Sequence, residues 1–119
     1  MQSRTEAQDE TATVVRNGKC YVKNIRVEQR TTDAPALYLQ VFNTNDPTVG
    51  TTLPTAVLPV PAGNANRDMA FNEVRCKSEV GGIYMGTGLS YAVTTDSTGN
   101  TGPDAGDEPV VVLDYENLG

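Results

Sequence analysis

Turn-forming residues interrupt this chain at intervals too short for helices, and that punctuation limits it to short strands. Asn17-Gly18, Asp33-Ala34-Pro35, Ala62-Gly63-Asn64, Gly81-Gly82 and Gly86-Thr87-Gly88 each separate runs that hold apolar residues. An Asn-Gly pair supplies the two positive-φ residues of a type I′ turn, so residues 13–16 and 20–30 read as a hairpin. In the return strand, Tyr21, Ile25 and Val27 share one parity, with Lys23 interrupting that face. Leu37, Leu39 and Val41 then alternate with Tyr38, Gln40 and Phe42, which predicts a strand with one inward face and a second face that is half covered. Residues 43–53 are rich in Thr, Asn, Asp, Pro and Gly and read as a loop.

Further strands are expected over residues 55–60, 67–72, 83–85, 89–94 and 110–115. The first of these carries Pro59 between Pro54 and Pro61, and a residue without an N–H belongs on a sheet edge. Eight strands counted this way, with no amphipathic helix, predict an all-β antiparallel β-sandwich for which a jelly roll is the favoured winding. Leu37, Leu39, Val41, Leu89, Tyr91, Val93, Val110 and Val112 are the candidates for its inward faces. The domain is expected over residues 14–119, since 119 residues is the usual size of one domain. Residues 1–13 are polar, with no apolar residue larger than Ala after Met1, and are expected to form a flexible N-terminal arm.

Charge and residue types exclude several functions. A net charge of −6 argues against a sequence-independent grip on nucleic acid and against adhesion to an anionic membrane. No apolar run reaches the roughly 20 residues of a membrane span. The first twelve residues lack the basic-then-apolar order of a signal peptide, so no export is expected. The chain has no His, which removes the commonest general base, the commonest metal ligand and every Ser-His or Cys-His pair. Cys76 lies between Arg75 and Lys77, which favours a thiolate, but no base accompanies it. Cys20 and Cys76 have no metal-ligand spacing and are expected as free thiols.

The acids Asp96, Asp104, Asp107 and Glu108 gather in or beside one loop, which reads as a solvated acidic loop. Its oxygen-rich 96–104 stretch only loosely echoes a calcium loop and misses the alternate-residue ligand spacing. Gly86-Thr87-Gly88 is not a phosphate loop, since no Lys-Ser/Thr follows. The seven aromatics are dispersed along expected strands, where packing is their ordinary job. No cofactor and no catalytic residue are expected.

The chain's last third reads Gly88-Leu89-Ser90-Tyr91-Ala92-Val93-Thr94-Thr95, a Thr/Gly/Asp/Pro loop, then Gly106-Asp107-Glu108-Pro109-Val110-Val111-Val112-Leu113-Asp114-Tyr115. Upstream, residues 37–43 end in Asn, and Val57-Leu58-Pro59-Val60-Pro61-Ala62-Gly63 forms an apolar-Pro-x-Pro-x-Gly turn. Together these resemble small structural proteins of tailed bacteriophages over roughly residues 20–115. The chain departs from that pattern by placing Glu108-Pro109 before the Val run and by carrying Cys76. The resemblance implies a capsid decoration or cement protein at the outer capsid surface of a virion, with the major capsid protein as partner and a homo-oligomer, a trimer, as assembly. A minor tail or fibre-associated protein and a carbohydrate-binding β-sandwich are the rival readings. The residues expected to meet a partner are Arg4, Glu6, Asp9 and Glu10 of the arm, and Tyr38 and Phe42 of the half-covered face.

Overall fold

A computed structural model describes residues 2–5, 9–29, 35–62, 72–77, 83–104 and 106–118, with side chains for all but the 2–5 and 72–77 segments. The described residues form nine strands: β1 Gln2–Thr5, β2 Thr13–Asn17, β3 Cys20–Gln29, β4 Leu37–Phe42, β5 Ala56–Val60, β6 Asn72–Lys77, β7 Ile83–Met85, β8 Gly88–Thr94 and β9 Val110–Asn117. Every pairing is antiparallel. One sheet runs β1-β9-β3-β6, with β7 also on β3, and the other runs β2-β8-β4-β5. The fold is thus an all-β sandwich. Among the described residues no helix is long and apolar enough to cross a membrane.

The pairings nest. β4 pairs β5, β3 pairs β6 and β7, β2 pairs β8, and β1 pairs β9, as in one long hairpin whose tip is the β4–β5 connection. Two further pairings, β9 with β3 and β8 with β4, roll that hairpin into two layers. β5 and β6 lie against each other at one edge of the sandwich, which leaves β1 and β2 at the other. Pro59 sits on β5 opposite Tyr38, at the outer edge of its sheet, where its missing donor leaves no ladder bond unmade.

The core lies between the sheets. Cys20, Val22, Ile25 and Val27 of β3, with Val111 and Leu113 of β9 and Met85 of β7, meet Leu37, Leu39 and Val41 of β4, Leu58 and Val60 of β5, and Leu89, Tyr91 and Val93 of β8. Each such side chain taken out of water contributes about 1.5–3 kcal/mol, so this cluster is the main favourable term.

Several sequence expectations are corrected here. A bulge between Val22 and Asn24 shifts the register of β3 on β9, so the residue at the break, Lys23, offsets the parity. Cys20 and Val22 therefore join Ile25 and Val27 in the core, while Tyr21 faces outward and pairs with Tyr84. On β9 the inward residues are Val111 and Leu113, opposite Val27 and Ile25, and not Val110 and Val112. Four consecutive apolar residues have no alternation of their own, so only pairing with β3 sets which of them turn inward. The expected boundary at residue 14 is also displaced. Gln2–Thr5 form β1 on β9, and Val93 N donates to Asp9 O at 2.9 Å, so the described part of the arm belongs to the sandwich. An edge strand needs only its ladder bonds, which a polar sequence supplies as well as an apolar one. The strand expected over 67–72 falls mostly on residues outside those described; β6 begins at Asn72.

Cys20 is a free, buried thiol. It stands opposite Met85 and Asn117, while Cys76 stands opposite Ile25, five residues further along β3. Five strand residues span roughly 15 Å, far beyond the 7 Å limit for a disulfide.

Candidate functional site

Three surfaces of the sandwich bear on function: the outer face of each sheet and the β1/β2 edge. On β4 and β8 the outward positions are Tyr38, Gln40 and Phe42 beside Thr94, Ala92 and Ser90. An open sheet face would leave these wet, yet all but Tyr38 are fully buried. Two loops roof them. In the loop between β4 and β5, Thr44 O accepts from Ser90 Oγ at 2.7 Å, and Asn43 Oδ1 accepts from Thr87 N at 2.9 Å. In the loop between β8 and β9, Gln40 Nε2 donates to Gly99 O at 3.0 Å and to Thr94 Oγ1 at 2.8 Å. The loops meet where Gly50, at φ +91°, passes the Asn100 side chain.

Glycine is required where the first loop crosses β8. A Cβ on Gly88 would stand 2.9 Å from Asn45 N and 3.0 Å from Arg16 O, both backbone atoms that cannot swing aside. Each loop is braced internally. Thr48 O accepts from Thr51 N and Thr52 N, and Thr95 N donates to Thr101 O at 2.7 Å. The Thr and Asn content of these segments thus serves roof building.

The carbonyls of Asp96 and Gly99 converge on the Gln40 amide group, which donates to both. Among the described residues no three of His, Cys, Asp and Glu form a metal site, and no pocket is found. Burial pushes the Cys20 thiol above its ordinary pKa, against a smaller opposing effect of Arg16, so it is held protonated.

Phe42 corrects a further expectation. It is fully buried under the roof and presents nothing to a neighbour. Tyr38, at the same face, stays partly exposed. Asp9 is used within the chain, its Oδ1 accepting from Thr11 N at 2.9 Å, and Glu10 lies against Gly102 of the roof. Arg4 occupies the rung Arg4–Val112–Arg26–Arg75 across the five-stranded sheet. Glu6 lies outside the described residues.

The outer face of the five-stranded sheet carries two features absent from the other. Arg26 donates to the buried Glu28 carboxylate at 2.7 Å, a pair that leaves the charge compensated inside the chain. Tyr21 and Tyr84 meet with ring centroids 5.5 Å apart at a 56° tilt, and Tyr84 is 52% exposed. Lys23 pairs with Glu116 beside them at 3.3 Å. Leu53, 81% exposed at the end of the first loop, is the most exposed large apolar side chain among the described residues. Periodicity had no means of finding the Tyr21–Tyr84 pair, because the bulge at Lys23 is what turns Tyr21 outward.

No protein-family model, curated protein or solved structure matches the chain.

Proposed function

We propose that this protein is a non-enzymatic structural component of a virion, a capsid decoration or cement protein that binds the outer face of the shell and stabilises it. The supporting observation is the winding. Nested strand pairs rolled into sheets of order 1-9-3-6 and 2-8-4-5 are, in our reading, a jelly roll, an architecture used by viral capsid and lectin domains. The roof supports the same reading. A sandwich whose second face is sealed by its own loops spends its polar residues on rigidity, which suits a part that must keep its shape on a lattice. The resemblance of residues 20–115 to small structural proteins of tailed phages points the same way.

On this reading the partner is the major capsid protein and the assembly is a homo-oligomer, a trimer. Among the described residues, Leu53, Val14 and Tyr38 are apolar groups that can meet a neighbour on the roofed side. Mixing the protein with undecorated shells of tailed phages and imaging them tests the proposal. Regular added density on the outer surface is expected, and shells that stay bare overturn it.

The Tyr21–Tyr84 pair favours a second reading, a carbohydrate-binding sandwich. Two phenol rings flanked by a Lys–Glu pair offer stacking and hydrogen bonds to a sugar ring. Binding on a glycan array that is lost in Tyr84→Ala would favour it.

A further inference from the structure

β1 is joined to the sandwich by backbone pairing on β9, in the register Gln2–Asp114, Ser3–Leu113, Arg4–Val112 and Thr5–Val111. Its sequence, Gln-Ser-Arg-Thr, contains no apolar residue. The strand is therefore held by ladder bonds that any chain of the same sequence supplies equally well. The strand beneath it is the opposite. β9 opens with Val110-Val111-Val112-Leu113, and without β1 this run would be a bare, strongly β-forming edge, the kind that recruits other strands. Occupancy of that edge is strongly favoured, and the backbone pairing that fills it is the same whichever copy supplies β1.

The connection adds to this. Only residues 6–8 separate Thr5, in one sheet, from Asp9, whose carbonyl is bonded to Val93 in the other. Short connections favour exchange between copies, because the exchanged strand keeps every bond. β1 and β2 also lie together at one edge of the sandwich, so two copies meeting there bring each β1 beside the other's β9.

We propose that β1 is an exchangeable strand, supplied to β9 of a second copy of this chain when copies associate through the β1/β2 edge. The inference rests on the self-association of the reading above and names the segment that carries it.

A disulfide reports which chain fills it. Gln2→Cys with Asp114→Cys, in a Cys76→Ala background, places two thiols directly opposite on β1 and β9, at positions away from the core. The partners lie within disulfide reach across a ladder. Buried Cys20 stays out of reach. The variant is oxidised across a range of protein concentrations, and non-reducing denaturing gels are compared with light scattering of the same samples. Exchange predicts covalent species larger than a monomer, whose share rises severalfold as the protein is concentrated a hundredfold. Intrachain bonds alone in samples that scatter as oligomers overturn exchange and leave self-association standing. Intrachain bonds alone in samples that scatter as monomers overturn both. As a second measurement, a peptide of residues 1–12 added to protein lacking them is expected to restore its thermal midpoint, and no restoration at saturating peptide counts against exchange.

Discussion

The Gln40 amide and the Thr94 hydroxyl, 54 residues apart in sequence, are joined by a 2.8 Å hydrogen bond beneath the roof of the four-stranded sheet. Thr94 Oγ1 in turn donates a hydrogen bond to Asp96 O, and Gln40 Nε2 also reaches Gly99 O, so one buried amide fixes the start of the loop and its turn. Gln40→Leu keeps the volume and leaves these acceptors without their donor. A loss of about 1–3 kcal/mol is expected, read as a lowered urea midpoint. Gln40→Glu sets a carboxylate against two carbonyl oxygens and is expected to cost more at pH 7 than at pH 4, where the acid is neutral and again donates.

Gly88 and Gly106 separate space from conformation. Gly88→Ala drives a methyl into backbone on both sides and is expected to destabilise by about 1–3 kcal/mol, as overpacking does. Gly106, at φ +94°, has nothing within 4 Å of a Cβ, so Gly106→Ala carries backbone strain alone, about 1 kcal/mol. Chemical unfolding of the two variants side by side checks the order.

Phe42 and Leu53 look alike in a sequence and differ in the fold. Phe42→Ala empties a site sealed on all sides and is expected to cost about 3–5 kcal/mol. Leu53→Ala, at a side chain 81% exposed, is expected to stay within about 0.5 kcal/mol. If capsid binding is measured on the same pair, Leu53→Ala is the variant expected to weaken it.

Cys20 links stability to alkaline pH. Its folded pKa is raised by burial, so the folded state holds a proton that the unfolded chain gives up. The contribution is intact below the unfolded thiol's pKa, about 8.5, and is lost as pH rises from there through the raised folded value. The drop in unfolding midpoint between pH 8 and pH 10 is expected to be smaller in Cys20→Ala than in the parent. The native thiol is also expected to resist iodoacetamide until the protein unfolds.

Strand positions were legible because alternation survives in β4 and β8. Leu37, Leu39 and Val41, like Leu89, Tyr91 and Val93, face the core as their spacing predicts. Alternation fails where the chain departs from a period of two. Lys23 at the bulge swaps the faces of β3, and the unbroken Val run of β9 takes its parity from a strand more than eighty residues earlier. β1 was illegible for a different reason, since an edge strand made of Gln, Ser, Arg and Thr carries no hydrophobic signal. Phe42 marks the same limit at the candidate site. Its cover comes from Thr- and Asn-rich loops, and nothing local says that a polar loop will fold back over a sheet.

The nested pairing also sets an order of events in time. Leu37 finds Val60 across a short stretch of chain, whereas Thr5 must find Val111 across nearly all of it. Non-local pairing of this kind slows folding far more than it weakens the folded state, because closure entropy rises only with the logarithm of loop length. The β4–β5 tip is thus the natural nucleus, and the base of the hairpin closes last. During synthesis β8 and β9 emerge after every strand they join, so the four-stranded sheet waits for β8 and the five-stranded sheet for β9.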